Sequence, residues 1–324
     1  MAIEELAITA PVTVTPETRV SRGPLGLITT ALRTTRGRVG ATLVMFVVLV
    51  AVIGPFVAPH SPTALVSGSF LPPGNGYPLG TDVLGRDVLS RLLNGGWELL
   101  AMAAGATVLG VAVGALVGVL AAFEGGWLDS ILMRTVDVLL AFPQIVFALL
   151  LVSIIGPKIW LIIVAVAIAH APQVARVIRS AALDVCERDF VKSVELIAIP
   201  RRKIMTGEVL PNLISPLMVE FGLRLTFSII IIAGLSFLGF GLQPPSPNWG
   251  AMINENRVGL VANPWPVIAP ILMLVILTVG MNTFTDAVAR VSLGTLRAHR
   301  ERHKPRRRRR VVAGAEPEQE PTNG

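Results

Sequence analysis

An all-α integral membrane protein with six transmembrane helices is the fold class that the sequence predicts, and three observations predict it. Hydrophobic residues make up 52% of the 324 and charged residues only 15%, against about 25% charged in soluble domains. The apolar residues fall in long runs, and about 20 helical residues cross a hydrocarbon core of about 30 Å. The basic residues cluster in the polar stretches beside those runs, the pattern that orients a chain in a bilayer. A formal charge of +7 raises nucleic acid as a partner, but charge placed beside apolar runs points to anionic lipid headgroups instead. A single cysteine, Cys186, excludes an intrachain disulfide and makes a cysteine metal cluster a poor reading.

Residues 1–35 read as a cytoplasmic tail, largely disordered, because Met1 to Val20 lacks the basic-then-apolar order of a cleaved signal peptide. Residues 36–295 read as the transmembrane domain. Arg33, Arg36 and Arg38 place the first span, about 39–58, with its start inside, and Pro55 and Pro59 mark its exit. Residues 60–95 are rich in Pro and Gly and read as an external loop. In it, Thr81 or Asp82 is positioned to cap a short helix, and Arg86 and Asp87 to pair locally. The second span, about 99–122, carries Gly105, Gly110, Gly114 and Gly118, small residues that permit close helix approach in lipid. They read as a packed bundle rather than a dimer motif.

A tight turn at Glu124-Gly125-Gly126 leads into the third span, about 127–155. There Arg134 and Asp137 lie one turn apart and read as a self-neutralising pair, and Pro143 predicts a kink. The fourth span, about 159–179, contains His170, read as a packing residue near Gln173 rather than a proton relay. A cation-rich segment, 180–211, follows and is cytoplasmic by its charge. Pro200 predicts two short helices joined by a bend. The fifth span, about 213–238, places Glu220 and Arg224 at i, i+4, the order that suits a helical ion pair; they are candidates for pore or gate structure. A Pro-rich external loop precedes the sixth span, about 265–289. Residues 296–324 form a basic tail whose run Arg306 to Arg310 suits anionic headgroups and holds the C-terminus inside. Both termini are therefore expected on the cytoplasmic side of a bacterial inner membrane.

Four stretches carry a resemblance over residues 35–290. They are Pro78-Leu79-Gly80-Thr81-Asp82 with Leu84-Gly85-Arg86-Asp87 and Ser90-Arg91; Gly125-Gly126-Trp127-Leu128-Asp129 through Met133-Arg134 and Asp137 to Ala141-Phe142-Pro143; Leu235-Ser236-Phe237-Leu238-Gly239-Phe240-Gly241 with Pro244-Pro245 and Asn248-Trp249-Gly250-Ala251-Met252; and the segment ending Leu210-Pro211. In these the sequence resembles the permease subunits of the dipeptide/oligopeptide/nickel ABC importers, and in particular the "C" permeases. The resemblance implies a type I importer permease fold whose cytoplasmic loop docks, as coupling helices, onto ATPase subunits. It implies the loop residues Asp189, Phe190, Lys192, Ser193, Val194, Glu195, Leu196, Ala198, Ile199 and Pro200 as the docking site. It implies as partners a second, homologous permease, the ATPase subunits, an extracytoplasmic solute-binding protein and a peptide-like substrate, beside membrane lipids and without nucleic acid. This chain would hold no cofactor, ATP and Mg being bound by the ATPases; no Gly-x-x-x-x-Gly-Lys-Ser/Thr phosphate loop occurs in it.

The loop departs from the family pattern. Where relatives carry Glu-Ala-Ala and, further on, Gly, this chain has Lys192-Ser193-Val194 and Ala198. Lys for Glu inverts a charge, and Ala takes a positive φ less easily than Gly. An ATPase with a matching change in its groove is implied. Two other classes compete on the residues alone. Ser236 beside Gly234, with His170 as base, suggests an intramembrane serine protease, though such serines are common in spans. A stand-alone channel or secondary transporter requires polar residues along a midplane path, whereas charge here concentrates in the loop and tail.

Overall fold

The computed structural model describes residues 24–74, 76–188 and 200–302. Twelve α-helices order the described residues: α1 (Pro24–Leu32), α2 (Thr35–Val57), α3 (Val88–Asn94), α4 (Trp97–Glu124), α5 (Gly126–Leu140), α6 (Gln144–Ile155), α7 (Ile159–Cys186), α8 (Arg201–Ile204), α9 (Leu210–Asn212), α10 (Ile214–Phe237), α11 (Trp249–Asn256) and α12 (Trp265–Arg302). A π-helical turn, Met205–Val209, joins α8 to α9. Five stretches are long and apolar enough to cross a membrane: α2, α3 with α4, α7, α10 and α12 up to Ser292. The pair α5–α6 makes the sixth if counted as one broken span.

Glycines set the helix crossings. Gly110, Gly114 and Gly118 of α4 lie over the carbonyls of Ala167, Ala171 and Ala175 of α7, where a Cβ would stand 3.0, 2.5 and 2.5 Å from each oxygen. The two backbones are thus in contact along two full turns, the close approach that small residues permit. Gly105 is different: a Cβ there would meet only the Ile163 side chain at 3.7 Å. α2 crosses α12 in the same manner, with Gly40 against Phe284 and Gly280 against Leu43 and Val44. The core gathers Leu99, Met102, Ala103 and Ala106 of α4, Leu161, Ile162, Ala165 and Val166 of α7, and Ile229 and Ile232 of α10.

Three local expectations are corrected. Pro143 does more than kink the third span. α5 and α6 meet at 84°, because α5 closes on itself through Ala141 and Phe142, while Pro143, lacking an N–H, restarts the chain as the N-cap of α6 in an extended conformation. The region before the first span is helical from Pro24, and the fully buried Ala31 packs with Ala287 and Val288 of α12; apolar burial overrides the reading of a disordered tail there. The basic end of the sixth span likewise continues as helix to Arg302. Just before Pro211 the chain forms the π-turn, with Leu210 N–H donating to Met205 O, a widening that accommodates a proline ring inside a helical path.

Candidate functional site

Two polar centres lie at different depths, and a connecting segment lies at one end. The first centre locks the loop between α2 and α4 to the stretch around α11. Asp87, not Thr81 or Asp82, caps α3, accepting from Leu89 and Ser90 N–H. Asp82 instead accepts from the backbone of Leu84 and Arg86 (2.9 Å each) and from Arg86 Nε at 2.6 Å. Arg86 therefore pairs with Asp82 rather than with Asp87, and it and Arg91 both reach Glu255 of α11 at 2.8 and 3.0 Å. Both arginines are buried, and buried cations require such partners. Asn263 Nδ2 donates towards the carbonyls of Leu71, Leu79 and Thr81 at 3.0–3.2 Å, and Val83 N–H donates to Asn256 Oδ1. Trp249, fully buried, donates from Nε1 to Leu92 O at 2.9 Å. Gly80 and Gly85 have φ of +72° and +78°, and a Cβ on either would lie 2.1 Å from a carbonyl oxygen, so both turns demand glycine. The two most distinctive sequence motifs are the two halves of one joint.

The second centre is within the spans. Glu220 and Arg224 of α10 form the expected ion pair, Nε to Oε2 at 3.2 Å, and both are buried. The pair turns into the bundle: Arg224 also donates to Gln173 Oε1 of α7, and its guanidinium stands 5.5 Å from the Phe227 ring centroid. Gln173 thus serves Arg224 and not His170. The His170 ring is fully buried, and neither nitrogen has a hydrogen-bond partner among the described residues. Nearby, Thr107 and Ser228 bridge α4 and α10 at 3.0 Å.

Further along α7, Arg176 pairs with Asp137 of α5, which corrects the local Arg134–Asp137 pair. Arg179 makes a bidentate contact to Asp129 of α5 at 2.6 and 2.5 Å. Sequence reasoning missed Gln173, Arg176 and Arg179 in these roles; their regular three-residue spacing before a cation-rich segment is the signal that could have found them.

Of the predicted docking residues, Asp189, Phe190, Lys192, Ser193, Val194, Glu195, Leu196, Ala198 and Ile199 lie outside the described residues. Pro200 is exposed and opens α8, its carbonyl accepting from Lys203 and Ile204 N–H, a position that suits a residue without an N–H. Beyond it, Ile204, Val209 and Leu213 are buried in a cluster with Val174, Ile178, Ala182 and Val185 of α7. The segment is therefore seated on α7 by its second limb. The protease reading finds no assembled dyad: the Ser236 hydroxyl is buried and, like the His170 ring, without a hydrogen-bond partner among the described residues.

Residues 110–292 match the family described as binding-protein-dependent transport system inner membrane component. A protein of Brucella suis biovar 1, provisionally named a peptide transport system permease protein, is 33% identical over 271 residues, 83% of this chain and 91% of that one. The glutathione transport system permease protein GsiD of Pectobacterium atrosepticum is 38% identical over 216 residues, 67% of this chain and 72% of its own length. Among solved structures, the MetNI methionine ABC transporter in inward-facing conformations matches with a TM-score of 0.52 at 20% identity. The match covers 62% of this chain and 96% of that one, a likeness of fold.

Proposed function

We propose, from the premise that this chain belongs to the family of binding-protein-dependent transport system inner membrane components, that it passes short peptides through an inner membrane. It is a non-catalytic, multi-pass permease subunit of an ABC importer, with the type I permease fold. The observation that carries the substrate class is the likeness, at 33–38% identity, to permeases named for peptide and for glutathione transport. Glutathione is itself a tripeptide, so one solute chemistry, a short chain with amino, carboxylate and amide groups, covers both names.

The partners follow from the same reading. A second, related permease completes the path, a solute-binding protein delivers from outside, and ATPase subunits dock on the segment 180–211 and bind the ATP and Mg. Both termini face the ATPases, consistent with the basic residues at 33–38 and 297–310. The docking residues are Asp189 to Pro200. A short segment held between two long helices can lie in a partner's groove, and a groove with different affinity in its ATP-closed and open states biases the permease between two conformations.

The test is purification of the tagged chain from its native membrane, followed by ATPase assay and by uptake of glutathione and of alanyl-alanine in proteoliposomes. Co-purification of a second permease and an ATPase, with Lys192→Glu changing the ATPase rate, is expected. A single-chain preparation without ATPase activity refutes the importer assembly, and a complex that hydrolyses ATP but takes up neither probe refutes the peptide class.

A further inference from the structure

The segment proposed to receive the ATPase joins α7 to α10, and whatever moves it acts first on those two helices. Two helices joined by a flexible connection would splay and absorb the displacement. Here they are tied twice. Near the segment, Ile204, Val209 and Leu213 pack on Val174, Ile178, Ala182 and Val185. Deeper, Arg224 of α10 holds Glu220 of its own helix and Gln173 of α7 together. Gln173 lies 13 residues before the end of α7 and Arg224 10 residues after the start of α10, so the tie is about 15–20 Å along the helices from the ends that are joined. Arg176 and Arg179, three and six residues on from Gln173, tie the same helix to α5.

An intramembrane ionised group points to function by default, and such groups in bundles are best attested in fixing register. The buried His170, one turn from Gln173 and without a hydrogen-bond partner among the described residues, places a further costly polar group at the same seam. We infer that Gln173 and Arg224 are positioning residues that make α7 and α10 one lever, so that a push on the segment joining them reaches the membrane core. The inference rests on the ATPase docking proposed above and adds the residues through which docking is transmitted. Arg224 suits the task because its planar fork reaches two acceptors at once; a lysine ammonium offers a point charge with no such fork.

The experiment compares the wild-type complex with Gln173→Met, which keeps length and removes the acceptor. Two quantities are read in proteoliposomes: ATP hydrolysed per glutathione or alanyl-alanine taken up, and the separation of spin labels at Val177 on α7 and Leu223 on α10, with and without ATP. The expected result is a rise of about fivefold or more in ATP consumed per solute, the lower end of the range for coupled sites. The label separation is expected to stay fixed in the wild type and to broaden in the variant. A merely structural role would lower transport and hydrolysis in proportion and leave the ratio unchanged, which overturns the inference. If Gln173→Met fails to assemble, Arg224→Lys is read in its place, with the same expected and overturning results. A wild-type eluate without an ATPase removes the premise itself, whereas a normally coupled wild type with an equally coupled variant overturns the lever alone.

Discussion

Asn263 joins the loop between α2 and α4 to the start of α12, and its two obvious substitutions separate two physical roles. Its Oδ1 accepts from Trp265 N–H at 3.2 Å, helping to start α12, while its Nδ2 faces three backbone carbonyls of the opposing loop. Of those, Leu71 O also receives Thr81 N–H, so removal of the amide strands chiefly Leu79 O and Thr81 O. Asn263 is fully buried. Loss of an N-cap costs about 1 kcal/mol, and each stranded carbonyl about 1–3 kcal/mol, less where water can enter. Asn263→Ala is therefore expected to cost about 3 kcal/mol, a fall in Tm of at most about 6–12 °C, the scale for about 150–250 residues, and smaller for a chain of 324. Asn263→Asp keeps the cap and adds charge of the favoured sign at a helix start. It also turns a buried carboxylate towards three carbonyl oxygens with no proton between them, so it is expected to be the worse of the two. The assay is thermal unfolding in detergent, paired with proteolysis of the stretch 61–79 below the main transition. A Tm for Asn263→Asp above that of Asn263→Ala would show that capping dominates and would refute the clamp as argued.

Three further outcomes follow from contacts between spans. Gly114→Ala would place a Cβ 2.5 Å from Ala171 O and 2.6 Å from Val174 Cβ, an overpacking expected to cost about 1–3 kcal/mol. Gly105→Ala, with only Ile163 at 3.7 Å, is expected to be neutral or to gain up to about 1 kcal/mol in helix propensity; paired melting curves check both. The Asp129–Arg179 contact is partly exposed, with side-chain exposures of 19% and 30%, so Asp129→Asn is expected to cost only about 1 kcal/mol. A double-mutant cycle with Arg179→Gln that gives no coupling would show that the bidentate geometry contributes nothing.

The spans were legible because their signal is local: a run of apolar residues needs no partner to be read as a helix in lipid. The predicted second span, 99–122, and the helix Trp97–Glu124 differ by only two residues at each end. What could not be read is what depends on a second element. The four-residue period of Gly110, Gly114 and Gly118 is visible in the sequence, but that α7 fills the groove is not, nor that Gly105 falls out of line. Glu220 and Arg224 were legible as an i, i+4 pair, whereas Gln173 is 51 residues from Arg224 and has no local mark. Glu255 lies 164 residues from Arg91 and 169 from Arg86, beyond any periodicity. Two misses were avoidable. Asp87 directly before Val88-Leu89-Ser90 is a helix-start signal in its own right, and a proline after Ala141-Phe142 with a fresh apolar run beyond it is as consistent with a break as with a kink.

The distribution of polar bonds from one end of the helix bundle to the other bears on where motion is resisted and where it enters. At the end away from the connecting segment, the loop between α2 and α4 and the stretch around α11 are joined by the pairs of the buried Arg86 and Arg91 with Glu255, by the Asn263 amide and by the Trp249 indole. Breaking any one of these leaves a buried group unpaired, so that end has little cause to rearrange. Towards the connecting segment, α7 is held to α5 by ion pairs whose side chains are in part exposed, contacts that cost little to exchange. Between the two ends lies the 84° break at Pro143, where the third span has no continuous hydrogen-bond ladder to bend against. A push on the segment between α7 and α10 therefore meets a joint of buried groups at the far end, while near the segment α7 is backed by the close Gly114 and Gly118 contacts of α4 and held to α5 by exchangeable pairs. The Gln173–Arg224 tie is then the polar contact within the spans through which a push on α7 passes to α10.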